Sequence, residues 1–385
     1  MTKSSLPMLD NFLTNDIVHA SWCEVFPERI AQNLRLARGL LPEGAQFLAV
    51  LKADAYGHGI SRVVPIIMEQ GVNYVGITSN SEAKAVRAAG FTGTVMRVRT
   101  ATSQEIEGAM PEQVQEQVST LFTAQMIAGA ARSGAKIAGV HLSLNARGMS
   151  RDGLEIATQE GRETCMEILD LIGPHIVGIT SHFPSNTPVD LLESDRQFQD
   201  DVDWVFAHSR LQRTDIQVHA GSSLSLVSDH KVTTDIFRCG AILYGILKQE
   251  LGFRSTMELK SRVTNITSYP KGSTTGYDRA IILQSDRQLA NVSIGYSNGI
   301  SRVFFGDSTV LIHGQRVPIL GKISMNTITV DVTEIPDIAV GDEAVIFGRQ
   351  GGACIDGPIM ERQADTIMAD LFADWGLRNQ RIYIE

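Results

Sequence analysis

Eight times between residues 25 and 250 the chain repeats one pattern, a short run rich in Val, Ile and Leu followed by an amphipathic stretch. The runs fall at 47–53, 74–79, 94–99, 119–123, 139–145, 176–182, 216–221 and 235–245. Stretches such as SEAKAVRAAG (81–90) and SDRQFQDDVDWVFAHSRL (194–211) separate them and read as helices. Strands covered by helices on both faces appear as continuous apolar runs, because neither side meets water. Eight strand-then-helix units predict an N-terminal (β/α)8 barrel. A doubly wound open sheet gives the same alternation, and the number of units is what favours the barrel.

After about residue 255 the texture changes. The segments LKSRVTNITSYPKG, LANVSIGYSNG, STVLIHGQRVPILGK, TITVDVTEIPD and DEAVIFGRQGG combine β-branched residues with Gly, Pro, Asn and Asp breaks. That spacing reads as antiparallel β structure. One helix-like stretch, PIMERQADTIMADLFADWG, follows. The expected organisation is therefore α/β plus β: a barrel over 22–250 and a mainly antiparallel β domain over 251–385, with residues 1–21 allowed to pack with the latter. A length of 385 residues suits two domains and a core that needs no disulfides.

Composition excludes several classes. A net charge of −9 argues against a general grip on nucleic acid, which needs lysine and arginine in excess. No run approaches the roughly 18 apolar residues of a membrane span. Cys23, Cys165, Cys239 and Cys354 are too scattered for a CxxC site and read as reduced thiols. The opening MTKSSLPMLDNFLTNDIV lacks the basic and apolar regions of a secretory signal, so the expectation is cytoplasmic, or periplasmic if the chain is a trimmed mature form. His58, His141, His175, His182 and His219 include no pair at metal-ligand spacing, so no metal is expected.

Barrel enzymes carry their chemistry on the loops where strands end. Lys52 closes the first run, His182 the sixth, and Ser222 and Ser223 follow the seventh; Arg238 and Gly240 belong to the eighth. A lysine after four apolar residues is either a desolvated amine with a lowered pKa, usable as a nucleophile, or a lysine snorkelling to the rim. Position alone leaves both readings open.

The string AVLKADAYGHG around Lys52 resembles the lysine signature of the alanine racemase family, pyridoxal-phosphate enzymes built from a barrel and a β domain. The resemblance runs from about residue 20 to 380 in the family's order. WCEV at Trp22, GMSRDG (148–153), SHF (181–183), HAGSS (219–223), FRCGAILYG (237–245), GYDR (276–279), GYSNG (295–299) and GKISMNT (321–327) all fall in place. GYDR in place of SYG, MNT in place of MD, Ser143 in place of a lysine, and the ending WGLRNQRI are similar to the broad-specificity amino-acid racemases.

The resemblance implies the following roles. Pyridoxal 5'-phosphate is the cofactor, and Lys52 forms its Schiff base and serves as the base on the D side. Tyr277 serves the L side. It reaches the barrel of a partner subunit, which implies a homodimer with shared sites. A phenol, with a solution pKa of about 10, is a poor base at neutral pH unless positive charge is near. Arg238 faces the pyridine nitrogen, and His182 links it to Tyr277. Tyr56, Ser222, Ser223, Gly240 and Ala241 hold the phosphate, with Ser223 the better match of the two serines. Arg151 and the backbone N–H of Met325 take the substrate carboxylate. The family's second phosphate tyrosine has no clear counterpart here. Asn326 replaces an aspartate, and Arg147 a small residue, with no role assigned. Tyr296 and Arg302 match access-channel residues, and Thr187 stands where an aspartate is common.

The expected activity is a two-base racemisation of amino acids of broad or non-alanine specificity. Alanine racemase itself is the alternative. A decarboxylase of the same barrel class or a non-catalytic cofactor carrier fits less well, because Tyr277 and the arginine at the nitrogen suit proton exchange and the β domain is present. Lysine, arginine, methionine, serine and alanine all remain compatible as substrates.

Overall fold

A computed structural model describes residues 19–385 except 305 and 307. The chain divides into two compact units. One holds Cys23–Glu258 with Asp356–Glu385, and the other holds Leu259–Ile355 with the described residues up to Trp22. The segment Asp356–Glu385, which the sequence reading placed in the second domain with the rest of 251–385, groups with the barrel unit, while the strand Gln380–Tyr383 within it joins the sheet of Met257–Tyr269. The remaining residues expected to pack with the β domain, 1–18, lie outside the described residues.

The first unit begins in β1 (Ser21–Val25) and is built on nine short strands. These are β2 (Gln46–Val50), β3 (Tyr74–Ile77), β4 (Thr94–Thr100), β5 (Val114–Val118), β6 (Val140–Ser143), β7 (Ile176–Thr180), β8 (Gln217–His219), β9 (Gly221–Ser222) and β10 (Ile236–Cys239). Each pairs in parallel with the next through β8, and β10 pairs in parallel with both β2 and β9. The seventh barrel strand is thus split at Ala220. Its first half joins β7 and its second half joins β10, which nearly closes the barrel. Helices between the strands cover the outer face, as parallel strands require.

Most elements follow the alternation read from the sequence; the strand expected at 119–123 does not. It lies earlier, at Val114–Val118, and Leu121–Arg132 is helix because the Thr120 side chain accepts the Thr123 N–H and starts it. VQEQV looks unlike a buried strand because its polar residues are paired inside the unit. Gln115 meets His141, and Glu116 meets the fully buried Arg97 at 2.7 Å.

The second unit is mainly antiparallel. Its strands are β11 (Met257–Tyr269), β12 (Thr274–Thr275), β13 (Ile281–Ile282), β14 (Arg287–Val292), β15 (Thr309–Ile312), β16 (Gln315–Pro318), β17 (Ile328–Asp331), β18 (Glu343–Gln350) and β19 (Ala353–Ile355). β11 pairs with β14 and β18, β14 with β17, and β15 with β16. Two helices, Gly357–Ala364 and Met368–Arg378, and the strand β20 (Gln380–Tyr383) then return to the barrel unit. Among the described residues no helix is long and apolar enough to cross a membrane.

Candidate active site

A cavity of about 570 Å³ opens where the barrel strands end. Lys52, Tyr56, Arg151, His182, Ser222, Ser223, Arg238, Gly240 and Ala241 all line it. The structure therefore gathers every barrel residue to which the resemblance gave a catalytic or binding role, whereas Arg147 pairs with Glu193 and Thr187 caps the helix Pro188–Ala207. Arg99, Asp152, Gln117, Ser143 and Asn186 also line the cavity. The lining carries four basic side chains, Lys52, Arg99, Arg151 and Arg238, and one carboxylate, Asp152, so the cavity favours anions.

Lys52 follows β2 and opens a tight turn. Ala53, Asp54, Ala55 and Tyr56 have φ of 53, 51, 59 and 52°, a left-handed run of four residues without a glycine. Such backbone costs roughly 1–2 kcal/mol per residue and persists only where the surroundings impose it. The restraints are numerous. Ala53 N–H donates to Glu82 Oε1 at 2.7 Å, and Asp54 Oδ1 accepts the Ile60 N–H at 2.8 Å. A Cβ on Gly57 would lie 2.1 Å from the Phe372 carbonyl oxygen, so the chain must be bare there. The turn directs Lys52 into the cavity. Its ammonium opens to solvent on one side, yet the walls withhold enough water to lower its pKa. Repulsion from Arg151 adds to this, and Glu82 opposes it.

Arg238, on β10, is buried and, among the described residues, donates to neutral acceptors only. Nη1 reaches Thr180 Oγ1 at 2.9 Å, His219 Nδ1 at 2.7 Å and the His219 carbonyl at 2.9 Å. Nη2 reaches the Ser181 carbonyl at 2.6 Å and His182 Nδ1 at 3.3 Å. Burial pulls its pKa down to about 10, which leaves it charged at neutral pH. The imidazoles stay neutral. Burial, then Arg238, Arg151 and Lys52, holds His182 down at about 3; burial and then Arg238 hold His141 at about 3; burial keeps His219 well below its ordinary value.

The hydrogen-bond network assigns the tautomers. Gln115 Oε1 accepts from His141 Nε2 at 2.9 Å, so His141 Nδ1 accepts from His219 Nε2 at 2.9 Å, and His219 Nδ1 accepts from Arg238. Gly178 makes room for this chain, since a Cβ there would lie 2.1 Å from His141 Nδ1. His182, accepting at Nδ1, keeps its proton on Nε2.

At the last two strand ends, Ser223 Oγ accepts the Gly240 N–H at 3.1 Å and the Ile242 N–H at 3.4 Å, which leaves its own proton to donate outward. A Cβ on Gly240 would sit 2.5 Å from the Tyr56 hydroxyl. Burial raises Tyr56 to about 12, so it is a neutral donor. Among the described residues its hydroxyl makes no hydrogen bond. Ser222 instead caps the short helix Ser223–Leu226 through Ser225. Arg151 Nε lies 3.3 Å from Asp152 Oδ1, which leaves its outer nitrogens for another anion.

Tyr277 and Met325 belong to the second unit, and both are exposed. Tyr277 precedes Asp278 and Arg279, whose φ values are 60 and 52°. Asp278 pairs with Lys322 at 2.5 Å, and a Cβ on Gly276 would lie 2.6 Å from the Lys322 nitrogen. The loops carrying Tyr277 and Met325 are thus joined. The Met325 carbonyl accepts from Ser297 N–H at 3.0 Å and Ser297 Oγ at 2.8 Å, and Asn326 Nδ2 donates to that same Oγ at 2.7 Å. Among the described residues the Met325 N–H donates to nothing.

The N-terminal domain of alanine racemases matches residues 26–248, and their C-terminal domain matches residues 256–383. The chain belongs to the alanine racemase family. As a member of that family it is an amino-acid racemase, an isomerase. A broad specificity amino-acid racemase of Pseudomonas putida is 41% identical over 367 residues, covering 95% of this chain and 90% of that protein. A lysine racemase of Proteus mirabilis is 37% identical over 369 residues, covering 96% and 91%. The alanine racemase of Clostridium difficile 630 superposes with a TM-score of 0.85 at 25% identity, over 96% of this chain and 97% of that one.

Three groups around the racemase cavity escaped sequence reading. His141 and His219 lie 78 residues apart and share no motif spacing, yet they meet across β7, on the strands β6 and β8 that flank it. Gln115 sits on the strand that was misplaced. The third is the C-terminal segment, whose Arg381 and Tyr383 reach the lysine turn. The only sequence signal for it was the unusual ending.

Proposed function

We propose that this racemase interconverts L- and D-amino acids of broad side-chain range, using pyridoxal 5'-phosphate, with Lys52 and Tyr277 as opposed proton carriers in a homodimer that shares its sites. The carrying observation is the cavity itself. It joins a pKa-lowered amine, a guanidinium without a carboxylate partner and a bare hydroxyl-lined corner. Relatives named broad specificity amino-acid racemase and lysine racemase support the breadth.

The residues present fit this cofactor. Gly240 is a cradle that a Cβ would fill, and Tyr56, Ser223 and the backbone at Gly240 and Ala241 would hold its phosphate. Arg238 would face the ring nitrogen. When bound, the group supplies an electron sink that acidifies the α-proton of an attached amino acid.

The rest of the work falls to the chain. A lowered pKa leaves more of Lys52 unprotonated, as a nucleophile first and then as a base at Nζ. Arg238 keeps its own proton, because its pKa, although lowered by burial, stays at about 10, so it would offer the ring nitrogen a hydrogen bond without giving up a full proton. That would temper the electron sink and favour return of the α-proton over side reactions. His182 presents Nε2–H, which would donate to the phenolic oxygen of the partner's Tyr277 and ease its loss of a proton. Arg151 and the Met325 N–H would hold the substrate carboxylate, fixing the α-carbon between the two carriers.

A panel of L-amino acids assayed for the D form by chiral chromatography tests the breadth. Turnover of several, including cationic or long side chains, is the expected result. Turnover of alanine alone would reject it.

A further inference from the structure

We infer that Arg381, at the far end of the chain, is a positioning residue for Lys52: through Asp54 it holds the left-handed turn that aims Lys52 and Tyr56 into the cavity. The inference rests on the role proposed above for Lys52.

Four consecutive residues at positive φ do not persist without restraint. Glu82 restrains only the first, at the Ala53 N–H. The centre of the turn is held by Asp54, whose two carboxylate oxygens are divided. Oδ1 takes the Ile60 N–H at 2.8 Å, and Oδ2 takes Arg381 Nη1 at 2.5 Å. The same Nη1 reaches the Gly57 carbonyl at 3.3 Å, just past the turn. One guanidinium therefore ties the middle of the turn to its exit. Its neighbour on β20, Tyr383, donates to the His58 carbonyl at 2.9 Å, and Arg62 lies 4.5 Å over the Tyr383 ring. Without Arg381, Asp54 keeps a single partner and can rotate away.

The turn begins at Lys52 and ends at Tyr56, and Lys52 Nζ lies 5.9 Å from the centre of the Tyr56 ring. Releasing the turn moves both groups together. Lys52 then leaves the neighbourhood of Arg151 and Glu82 and meets more water. A lysine at 381 would keep the charge and could still donate to either acceptor, but its shorter side chain and tetrahedral ammonium do not reproduce the planar nitrogen that reaches both.

The test uses the full-length chain. Pyridoxal phosphate is titrated in and fixed with borohydride, and the label on Lys52 is measured by peptide mass spectrometry at a series of pH values, with circular dichroism to follow folding. In R381M, half-labelling is expected to need about tenfold more cofactor, and the pH of half-maximal labelling is expected to rise toward that of an ordinary lysine. A general loss of fold would instead lower the labelled fraction and leave that pH unchanged. D54N should behave like R381M, and the double variant should be no worse than R381M alone. R381K should recover to within about threefold of the unaltered chain.

Unchanged half-labelling and pH in R381M would overturn the inference, as would losses that multiply in the double variant. Should R381M not fold, D54N decides: a higher half-labelling concentration together with a raised pH of half-maximal labelling supports the inference, and no change in either overturns it. Label on a different lysine in the unaltered chain would instead overturn the reading of Lys52, and this inference with it.

Discussion

Arg238 Nη1 lies 2.7 Å from His219 Nδ1, and among the described residues neither group bonds a carboxylate. The buried guanidinium is satisfied by hydroxyl, carbonyl and imidazole acceptors, and the proton order runs outward from it through His219 and His141 to Gln115. Its charge is therefore turned toward the cavity, uncancelled. His219→Leu removes one acceptor from a buried cation. Urea denaturation should show a loss of about 1–3 kcal/mol, and racemisation should fall in both directions together, because Arg238 serves both. Unchanged racemisation would contradict the role.

Buried neutral imidazoles make stability depend on pH. Burial holds His58 at about 4 and His141 at about 3, against about 6.5 in an unfolded chain. Below about pH 6.5 the unfolded chain takes up protons that the folded one refuses, so stability is full above that value and falls as pH drops toward the folded values. Each such group should cost about 2 kcal/mol between pH 8 and pH 5. His141→Gln should lessen the acid loss by about that amount in denaturation curves measured at the two pH values.

Gly376 lies within the helix Met368–Arg378, where alanine would ordinarily stabilise by close to 1 kcal/mol. Here a Cβ would meet the Gly57 carbonyl oxygen at 2.0 Å. Gly376→Ala should therefore destabilise by about 1–3 kcal/mol and weaken cofactor labelling at Lys52, because the helix would push on the lysine turn. A rise in melting temperature would contradict this packing.

The two directions of the reaction should separate in Tyr277→Phe. Uptake of solvent deuterium at the α-carbon should collapse when the reaction starts from the L substrate. It should persist from the D substrate, for which Lys52 is the proposed proton carrier. Equal residual rates would mean that another group serves the L side.

The barrel was legible because apolar runs such as FLAV and YVGI mark strands covered on both faces. VQEQV was not, since a strand whose polar residues are paired inside resembles a surface segment until its partners, Arg97 and His141, are known. Lys52, Arg238 and Ser223 stood out by their strings and their places at strand ends. His141 and His219 were weighed only as metal ligands, where sequence spacing matters, and their contact is made across β7 at the bare Gly178, which no spacing reveals. Arg381 could not be linked to Asp54 from sequence, because the C-terminal segment leaves the β unit and returns to the barrel.

The central claim is that each site takes Lys52 from one subunit and Tyr277 from the other. Co-expressing Lys52→Ala with Tyr277→Phe tests it most directly. Each parent dimer carries the same lesion in both sites, but a mixed dimer would have one site with both lesions and one with neither. Random mixing should restore about a quarter of the unaltered activity from two parents that are nearly inactive. A mixture no more active than its parents, in which mixed dimers are shown to form, would contradict the shared site.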